Sequence, residues 1–468
     1  MRFSDLEHAR IAILGAAREG QAVWREIRKR FPRKPVWIFA ETDMESEFVQ
    51  ALDPAIDRCY CGPLDVSILE RFDVLVRSAG ISPYREELRQ LRLLGRRFTT
   101  ASNLWFAENP DAKTICVSGT LGKSTTTALI AHLLAQTGIR TCLAGNIGRP
   151  MLDYDSDETD WWVIELSSYQ LSDLEAKPDI AVLLNLSQEH LDWHQGLEHY
   201  RADKLRLAQL ATPGHLIANA SDTVLVERLK SFQDVIWFNH ASGWRASKDG
   251  VSRGFDPSAH TAGCMDGLTG INQDHVLAPI SLPGEHNKQN LAAALTVLDA
   301  LGINIPGLDE ALVSFNGLSH RLQMIGERAG IRYVDDSIST TPVSVSVALQ
   351  TVGHRDVVLL LGGMDRGLDW SGFAQNLLTS TPFAIVTMPD NGSKILACLK
   401  DAGVRPEGGL HDVTRLQEAV ALAQELAPEN GCILLSPGAP SFPHFQNFED
   451  RGNQFKVFAG FKIQASGD

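Results

Sequence analysis

Short apolar runs alternate with amphipathic stretches along almost the whole chain, and the alternation falls into three blocks. The first opens with ARIAILGAAREGQAVWREI. Ile11–Leu14 reads as a buried strand running into Gly15, with Gly20 at the start of an amphipathic helix. A second strand is predicted at Val36–Phe39, ending near the acidic Glu41 and Asp43. The strand in DVLVRSAGISP (73–83) ends in a Gly/Ser/Pro turn rich in backbone amides. The second block starts near residue 104. It predicts a strand at Lys113–Val117, a tight loop at Ser118–Gly122 and a helix opened by Lys123 and Ser124. Two more strands follow, in WWVIELSSYQL and IAVLLNLSQEHLDWH. A polar, Gly-rich stretch over roughly 240–280 shows no clear period, and LPGEHNKQNLAAALTVLDAL reads as a turn leading into a helix. The third block begins near HRLQMIG (320–326), with strands at Ile331–Val334, Val357–Leu361, Phe383–Val386 and Cys432–Leu435. Strands separated by helical patterns predict doubly wound α/β units.

The strongest chemical signal is VSGTLGKSTTTALI (117–130). A strand, a short glycine loop and a helix N-terminus build a phosphate cradle from backbone N–H groups. Lys123 adds a point charge, and the Ser124 hydroxyl can hold Mg²⁺. The loop has the shorter form G-T-x-G-K-S, with Val117 where a full Walker A carries Gly. The G-x-x-x-x-G of the first block is a weaker, Rossmann-like signal, and a small α/β domain without a ligand is the competing reading. In open parallel sheets, ligands bind at the carboxyl ends of strands. Glu165, followed by Ser167 and Ser168, stands at one such end. Asn185 and Ser187, followed by Glu189, His190, Asp192 and His194, stand at another. Ser124 and Glu165 suit a hard Mg²⁺ ion; a neutral His190 suits a second, and His194 is assigned a packing role. The segment YRADKLRLAQL (200–210) reads by itself as a basic helix with a solvated face, and Lys204 falls in that class.

Composition narrows the picture. With 468 residues, about three domains are expected. Apolar content of 44% and charged content of 21% describe an ordinary globular chain. A net charge of −14 argues against a nucleic-acid-binding face. The seven cysteines include no C-x-x-C, and Cys59 and Cys61 flank Tyr60 too tightly for ordinary metal or disulfide geometry. Reduced, mostly buried thiols in a cytoplasmic protein are expected. MRFSDLEHAR carries charges and no apolar segment, so no signal peptide is expected, and no 18-residue apolar run is present to span a membrane.

Ten motifs then converge. SGTLGKSTTT, GNIG (145–148), ELSSYQL (165–171), NLSQEHLD (185–192), YRADKLRL (200–207), HNKQN (286–290), HR (320–321), DDSISTTP (335–342), LLLGGMDRG (359–367) and SPGAPSF…NFEDRGNQF (436–455) occur in this order. The chain resembles the Mur ligases over essentially its whole length, and most closely the branch that adds glutamate to UDP-N-acetylmuramoyl-L-alanine. The resemblance implies a Rossmann-like UDP-binding domain (1–103), a central P-loop-type ATP-binding domain with a parallel sheet (104–317), and a Rossmann-like glutamate-binding domain (318–468). It implies ATP as co-substrate, two Mg²⁺ ions, and action as a monomer in the cytoplasm on peptidoglycan precursors, with no nucleic-acid partner. Thr120, Gly122, Lys123, Ser124, Thr125, Asn287, Asn290, Arg321 and Asp336 are implied on the ATP side. Ser124, Glu165 and His190 are implied as magnesium ligands, with Lys204 as a CO₂-derived carbamate, which replaces the solvated-face reading. Lys123, Lys204 and His190 are the catalytic set. Gly15, Arg18, Glu41, Ser78, Gly80, Asn146, Ser167 and Gln170 would face the UDP-substrate. Thr340, Arg366, Ser441 and Phe448 would face glutamate.

Four features depart from the pattern of the branch. Leu121 stands where a polar residue is usual, Ile338 where some relatives carry Lys, and SAGI lacks the Pro of SPGI. In SPGAPSFPHF, Pro440 and Pro443 remove N–H donors and fix φ in a loop implied to touch the amino acid. That loop and MDRGLDW resemble a smaller branch that adds L-glutamate, whose product a partner epimerase inverts; the ordinary D-glutamate reaction is the alternative. A folate polyglutamate synthase, a decayed binding protein and a plain kinase or motor ATPase are the competing readings. The N-terminal domain, the intact Lys123, Glu165, His190 and Lys204, and the glutamate-side motifs argue against them in turn.

Overall fold

The computed structural model describes residues 1–42, 44–154, 158–254, 284–315 and 317–462. The expected Asp43 and most of the irregular 240–280 stretch lie outside the described residues. Three sheets organise the chain. The first has strands β1 (Ile11–Leu14), β2 (Val36–Ala40), β3 (Asp57–Cys61), β4 (Val74–Arg77) and β5 (Arg97–Thr99), all parallel, in the order β3-β2-β1-β4-β5. The second has β6 (Thr114–Ser118), β7 (Thr141–Gly145), β8 (Trp161–Glu165), β9 (Ile180–Leu183), β10 (Leu216–Asn219) and β11 (Ile236–Phe238), in the order β11-β10-β9-β6-β8-β7. Its pairings are parallel too. A short antiparallel pair, β12 (Trp244–Ala246) and β13 (Val251–Arg253), occupies the described part of the stretch read as irregular.

The third sheet has β14 (Gln323–Arg328), β15 (Ile331–Asp335), β16 (Val357–Leu361), β17 (Ala384–Thr387), β18 (Leu410–Asp412) and β19 (Cys432–Leu435), in the order β14-β15-β19-β16-β17-β18. Only β14 runs antiparallel to its neighbour. Central strands such as β1, β9, β16 and β19 are buried throughout, as strands covered by helices on both faces must be; their unbroken apolar runs follow from that. The α/β class read from the sequence is the class observed. Strand edges differ by a residue: β6 runs Thr114–Ser118 rather than Lys113–Val117, with the Thr114 amide donating to Asp179 Oδ2. Asn185 and Ser187 lie in the loop beyond β9 rather than at its end.

The described residues divide into two compact units. One carries the first two sheets and the helices through Phe315, the other the third sheet. Within the first unit, helix Lys123–Ala135 packs along helix Glu285–Ala300; both bury nearly all their aliphatic side chains. The expectation of mostly buried thiols fails. Cys116 and Cys432 are buried, Cys142 and Cys398 half-buried, and Cys59 and Cys61 exposed. The last two sit on β3, an edge strand with one neighbour, so their side chains have little to pack against.

Candidate active site

The phosphate loop joins β6 to helix Lys123–Ala135 through Gly122, which caps the helix at φ 83°. A β-carbon there would lie 2.3 Å from Asn290 Oδ1, so glycine is required both by the left-handed turn and by the approach of helix Glu285–Ala300. Asn290 in turn donates to Asn287 Oδ1 at 3.1 Å, and both are buried. The loop is braced from the segment that follows β9. The Thr120 amide donates to Asn185 O, its hydroxyl to Ser187 O (3.0 Å), and Tyr200 Oη lies 2.7 Å away. Asn185, expected only to stand at a strand end, clamps Leu121 twice: its Oδ1 accepts the Leu121 amide and its Nδ2 donates to Leu121 O. The Asn185 side chain therefore holds the loop through the Leu121 backbone, and the Leu121 side chain points out, half-exposed. Lys123 Nζ donates to Thr120 O at 2.7 Å, Ser124 is half-buried in the first helical turn, and Thr125 is buried behind it.

Glu165 ends β8 beside β6, paired in register with Val117, and is 1% exposed. Asn146 Nδ2 donates to its Oε1 at 2.7 Å, while Oε2 has no hydrogen-bond partner among the described residues. A buried carboxylate oxygen left unpaired costs free energy unless a cation reaches it. Among the described residues no cluster of three or more His, Cys, Asp and Glu forms a self-contained metal cage. Glu165 with the Ser124 hydroxyl suits Mg²⁺, which completes its shell with phosphate oxygens and water.

His190 has a left-handed backbone (φ 55°), a conformation that costs a non-glycine residue about 1–3 kcal/mol. Burial, opposed by Glu189 and helped by Lys204 and Lys123, lowers its pKa and so favours the neutral imidazole, the form able to bind a metal ion. Lys204 is only 2% exposed; its Nζ donates to Gly119 O at 2.6 Å. Burial first, then the charge of Lys123, push its pKa well below the ordinary lysine value, against the pull of Glu189 and Glu165. The solvated-face reading of this helix (Leu197–Leu210) is thus overturned: Tyr200, Asp203, Lys204 and Leu207 all point inward.

Of the residues expected to face a sugar nucleotide, Gly15, Arg18, Ser78 and Gly80 follow β1 and β4, Glu41 follows β2, Asn146 follows β7, and Ser167 and Gln170 follow β8. Gly15, at φ 97°, would place a β-carbon 2.8 Å from the Ser78 side chain, whose hydroxyl donates to Gly15 O. The turn after β4 is bonded to its surroundings within the protein. Ser78 N–H goes to Leu14 O, Ala79 N–H to Glu19 Oε2, and Gly80 O accepts from Trp193 Nε1. Arg18 donates to Gly148 O, Glu41 pairs with Arg85, Ser167 caps the short helix Ser168–Leu171, and Gln170 reaches Glu19 Oε1 at 2.8 Å. Arg77, which no sequence motif singles out, is fully buried. It donates to both oxygens of Asp173 (2.6 and 3.0 Å), to Tyr169 O and Ser172 Oγ, and to the carbonyls of Ser78, Ala79 and Ile81. It ties the turn after β4 to the segment after β8.

In the second unit, Asp336 follows β15 and is buried. Ser339 and Ser436 Oγ donate to its Oδ2, and the Leu322 amide to Oδ1. Burial raises its pKa to about 6, against these bonds and the charge of Arg321. Arg321 is half-buried with Nε unpartnered among the described residues. Thr340 and the buried Ser441 lie on the loops after β15 and β19, Phe448 opens helix Phe448–Phe458, and Arg366 is exposed after β16. Gly362 N–H to Pro437 O and Met364 N–H to Pro440 O lace the loops after β16 and β19 together, and Arg451 donates to Ser337 O and Ala439 O.

A phosphate loop, a buried carboxylate on the adjoining strand and a buried lysine on the loop's own carbonyl define an α/β enzyme that handles a nucleotide phosphate. Residues 117–298 match the Mur ligase middle domain, and residues 320–438 the Mur ligase glutamate ligase domain. The chain is 42% identical, over 98% of its length and 97% of the relative's, to the UDP-N-acetylmuramoyl-L-alanine--L-glutamate ligase of Xanthomonas campestris pv. campestris. A Micromonospora protein of the same name is 35% identical over 97% of each chain. The fold is similar to that of the UDP-N-acetylmuramate-alanine ligase of Thermotoga maritima, with TM-score 0.59 and 18% identity, over 96% of this chain and 99% of that one. The chain belongs to the Mur ligase family, the ATP-binding ligases of peptidoglycan synthesis. Among the described residues no helix is long and apolar enough to cross a membrane.

Proposed function

We propose that the protein joins L-glutamate to UDP-N-acetylmuramoyl-L-alanine, using ATP, through an acyl phosphate. The observation that carries the ATP half of this reading is Lys204, buried with its amine on the phosphate-loop carbonyl beside Lys123 and Glu165. The names of the full-length relatives, and the Pro440 and Pro443 loop, support the L-glutamate half.

A carboxylate does not react with an amine at neutral pH, because its leaving group is oxide. In the proposed reaction a carboxylate oxygen of the alanyl group attacks the γ-phosphorus of ATP as the bond to ADP breaks. The glutamate amine then attacks the acyl carbon, phosphate leaves, and the nitrogen gives up a proton. Lys123 neutralises phosphate charge. Lys204, its pKa lowered by burial, adds to CO₂ through the neutral form of Nζ and releases a proton, giving a carbamate. Ser124, Glu165, His190 and that carbamate would hold two Mg²⁺ ions. Bound there, magnesium supplies charge neutralisation for the transferring phosphoryl group. Thr120, Gly122, Thr125, Asn287 and Asn290, with Arg321 and Asp336, form the ATP side. Gly15, Arg18, Glu41, Ser78, Gly80, Asn146, Ser167 and Gln170 form the sugar-nucleotide side. Thr340, Arg366, Ser441 and Phe448 form the glutamate side. In this reading the three sheets are three domains, the enzyme works as a cytoplasmic monomer, and an epimerase consumes its product.

The test is ADP release by the purified protein with UDP-N-acetylmuramoyl-L-alanine and either L- or D-glutamate, followed by product stereochemistry. Much faster release with L-glutamate supports the proposal. Faster release with D-glutamate overturns the stereochemical assignment, and release with neither overturns the ligase reading.

A further inference from the structure

Helix Leu197–Leu210 turns two consecutive side chains into the protein. Lys204 reaches Gly119 O, and Asp203, 5% exposed, is held by two donors. Tyr84 Oη donates to Asp203 Oδ1 at 2.7 Å, and His194 Nδ1 lies 2.6 Å from Oδ2. The other ring nitrogen, His194 Nε2, is 3.0 Å from Ser168 Oγ, in the helix that begins three residues after Glu165. His194 and Ser168 are buried. The four side chains form one hydrogen-bonded chain. It runs from the segment following the Ser78–Gly80 turn, across the lysine helix, to the segment following β8.

A buried carboxylate must keep its donors, so this chain fixes the helix in rotation and along its axis. Lys204, one residue on, inherits that placement. A displacement of about 1 Å at a reacting group can cost two orders of magnitude in rate. Tyr84 is anchored apart from its hydroxyl: its ring stacks on His199 at 4.6 Å, and its carbonyl accepts from Gln195 Nε2. Tyr84→Phe therefore removes the bond to Asp203 and little else.

We propose that Tyr84 and Asp203 are positioning residues for Lys204, with the Tyr84–Asp203–His194–Ser168 chain setting where the lysine meets the phosphate loop. The proposal rests on the functional reading of Lys204 given above. The test is a cycle in the full-length protein, comparing Tyr84→Phe, Lys204→Ala and the double variant by steady-state kinetics. A parallel measurement follows the carbamate carbon by NMR in ¹³C-bicarbonate. Tyr84→Phe is expected to lower kcat about 10- to 100-fold, to leave KM for glutamate unchanged, and to weaken the carbamate signal. In the Lys204→Ala background the same substitution should cost nothing further. Asp203→Asn, which leaves the Tyr84 ring in place, should behave likewise. Wild-type kcat in Tyr84→Phe, or equal losses in both backgrounds, overturns the proposal. A wild-type protein without a carbamate signal overturns the carbamate reading of Lys204 instead, and the kinetic cycle then decides the positioning role alone.

Discussion

Replacing Arg77 by Met should destabilise the first compact unit by about 3 kcal/mol. Methionine preserves the apolar stem and deletes the guanidinium, so the loss is electrostatic rather than a cavity. Breaking a buried ion pair by removing one partner costs about 3–5 kcal/mol. The lower end applies here, because the Asp173 side chain keeps 26% of its surface and can rehydrate once abandoned. The carbonyls of Ser78, Ala79 and Ile81 lose their donor as well, though the turn is near enough to solvent for water to replace it in part. Unfolding entropy of about 2.1 cal/mol/K per residue over a unit of roughly 300 residues gives ~0.6 kcal/mol/K, so the melting temperature should fall by about 5 °C. Differential scanning calorimetry on both proteins measures it. Arg77→Met combined with Asp173→Leu should recover most of the loss, since no charge is then left without its partner. A fall below about 1 °C for the single variant, or a double variant no more stable than the single, would refute the reasoning.

Two further outcomes follow from the sites. Gly122→Ala forces a β-carbon into a left-handed turn, at about 1–2 kcal/mol, and onto Asn290; ATP affinity measured by calorimetric titration should drop at least about tenfold, while circular dichroism stays near wild type. Asp336 has a folded pKa of about 6 against an ordinary 3.8, so the folded state binds the extra proton between those values, and stability falls as pH rises through that window. The shift corresponds to about 3 kcal/mol, and Asp336→Asn should therefore gain on wild type in urea unfolding at pH 7.5 relative to pH 4; parallel stability profiles for the two proteins would count against it.

Strands such as β1, β16 and β19 were legible because buried parallel strands are written as unbroken aliphatic runs. The phosphate loop was legible because its glycines, lysine and serine are contiguous. Lys204 was not legible from pattern. Helical periodicity assigns charged positions to solvent, and a helix that carries a site buries some of them. Arg77, the bracing role of Asn185 and the Tyr84–Asp203 pair escaped for a different reason. Their partners lie far along the chain, and nothing local distinguishes a buried arginine or asparagine from an exposed one. Asn146 and Gln170 were expected at a substrate surface, and the bonds they make inside the protein, to Glu165 and Glu19, could not be read from their neighbours in sequence.

The lysine of the phosphate loop donates to the loop's own Thr120 carbonyl. A neutral ligand offers it nothing better than that carbonyl, so it has no reason to leave. A polyphosphate offers full negative charge, and charge-assisted bonds are roughly twice as strong as neutral ones. A polyanion therefore competes for the Lys123 amine better than a neutral occupant does.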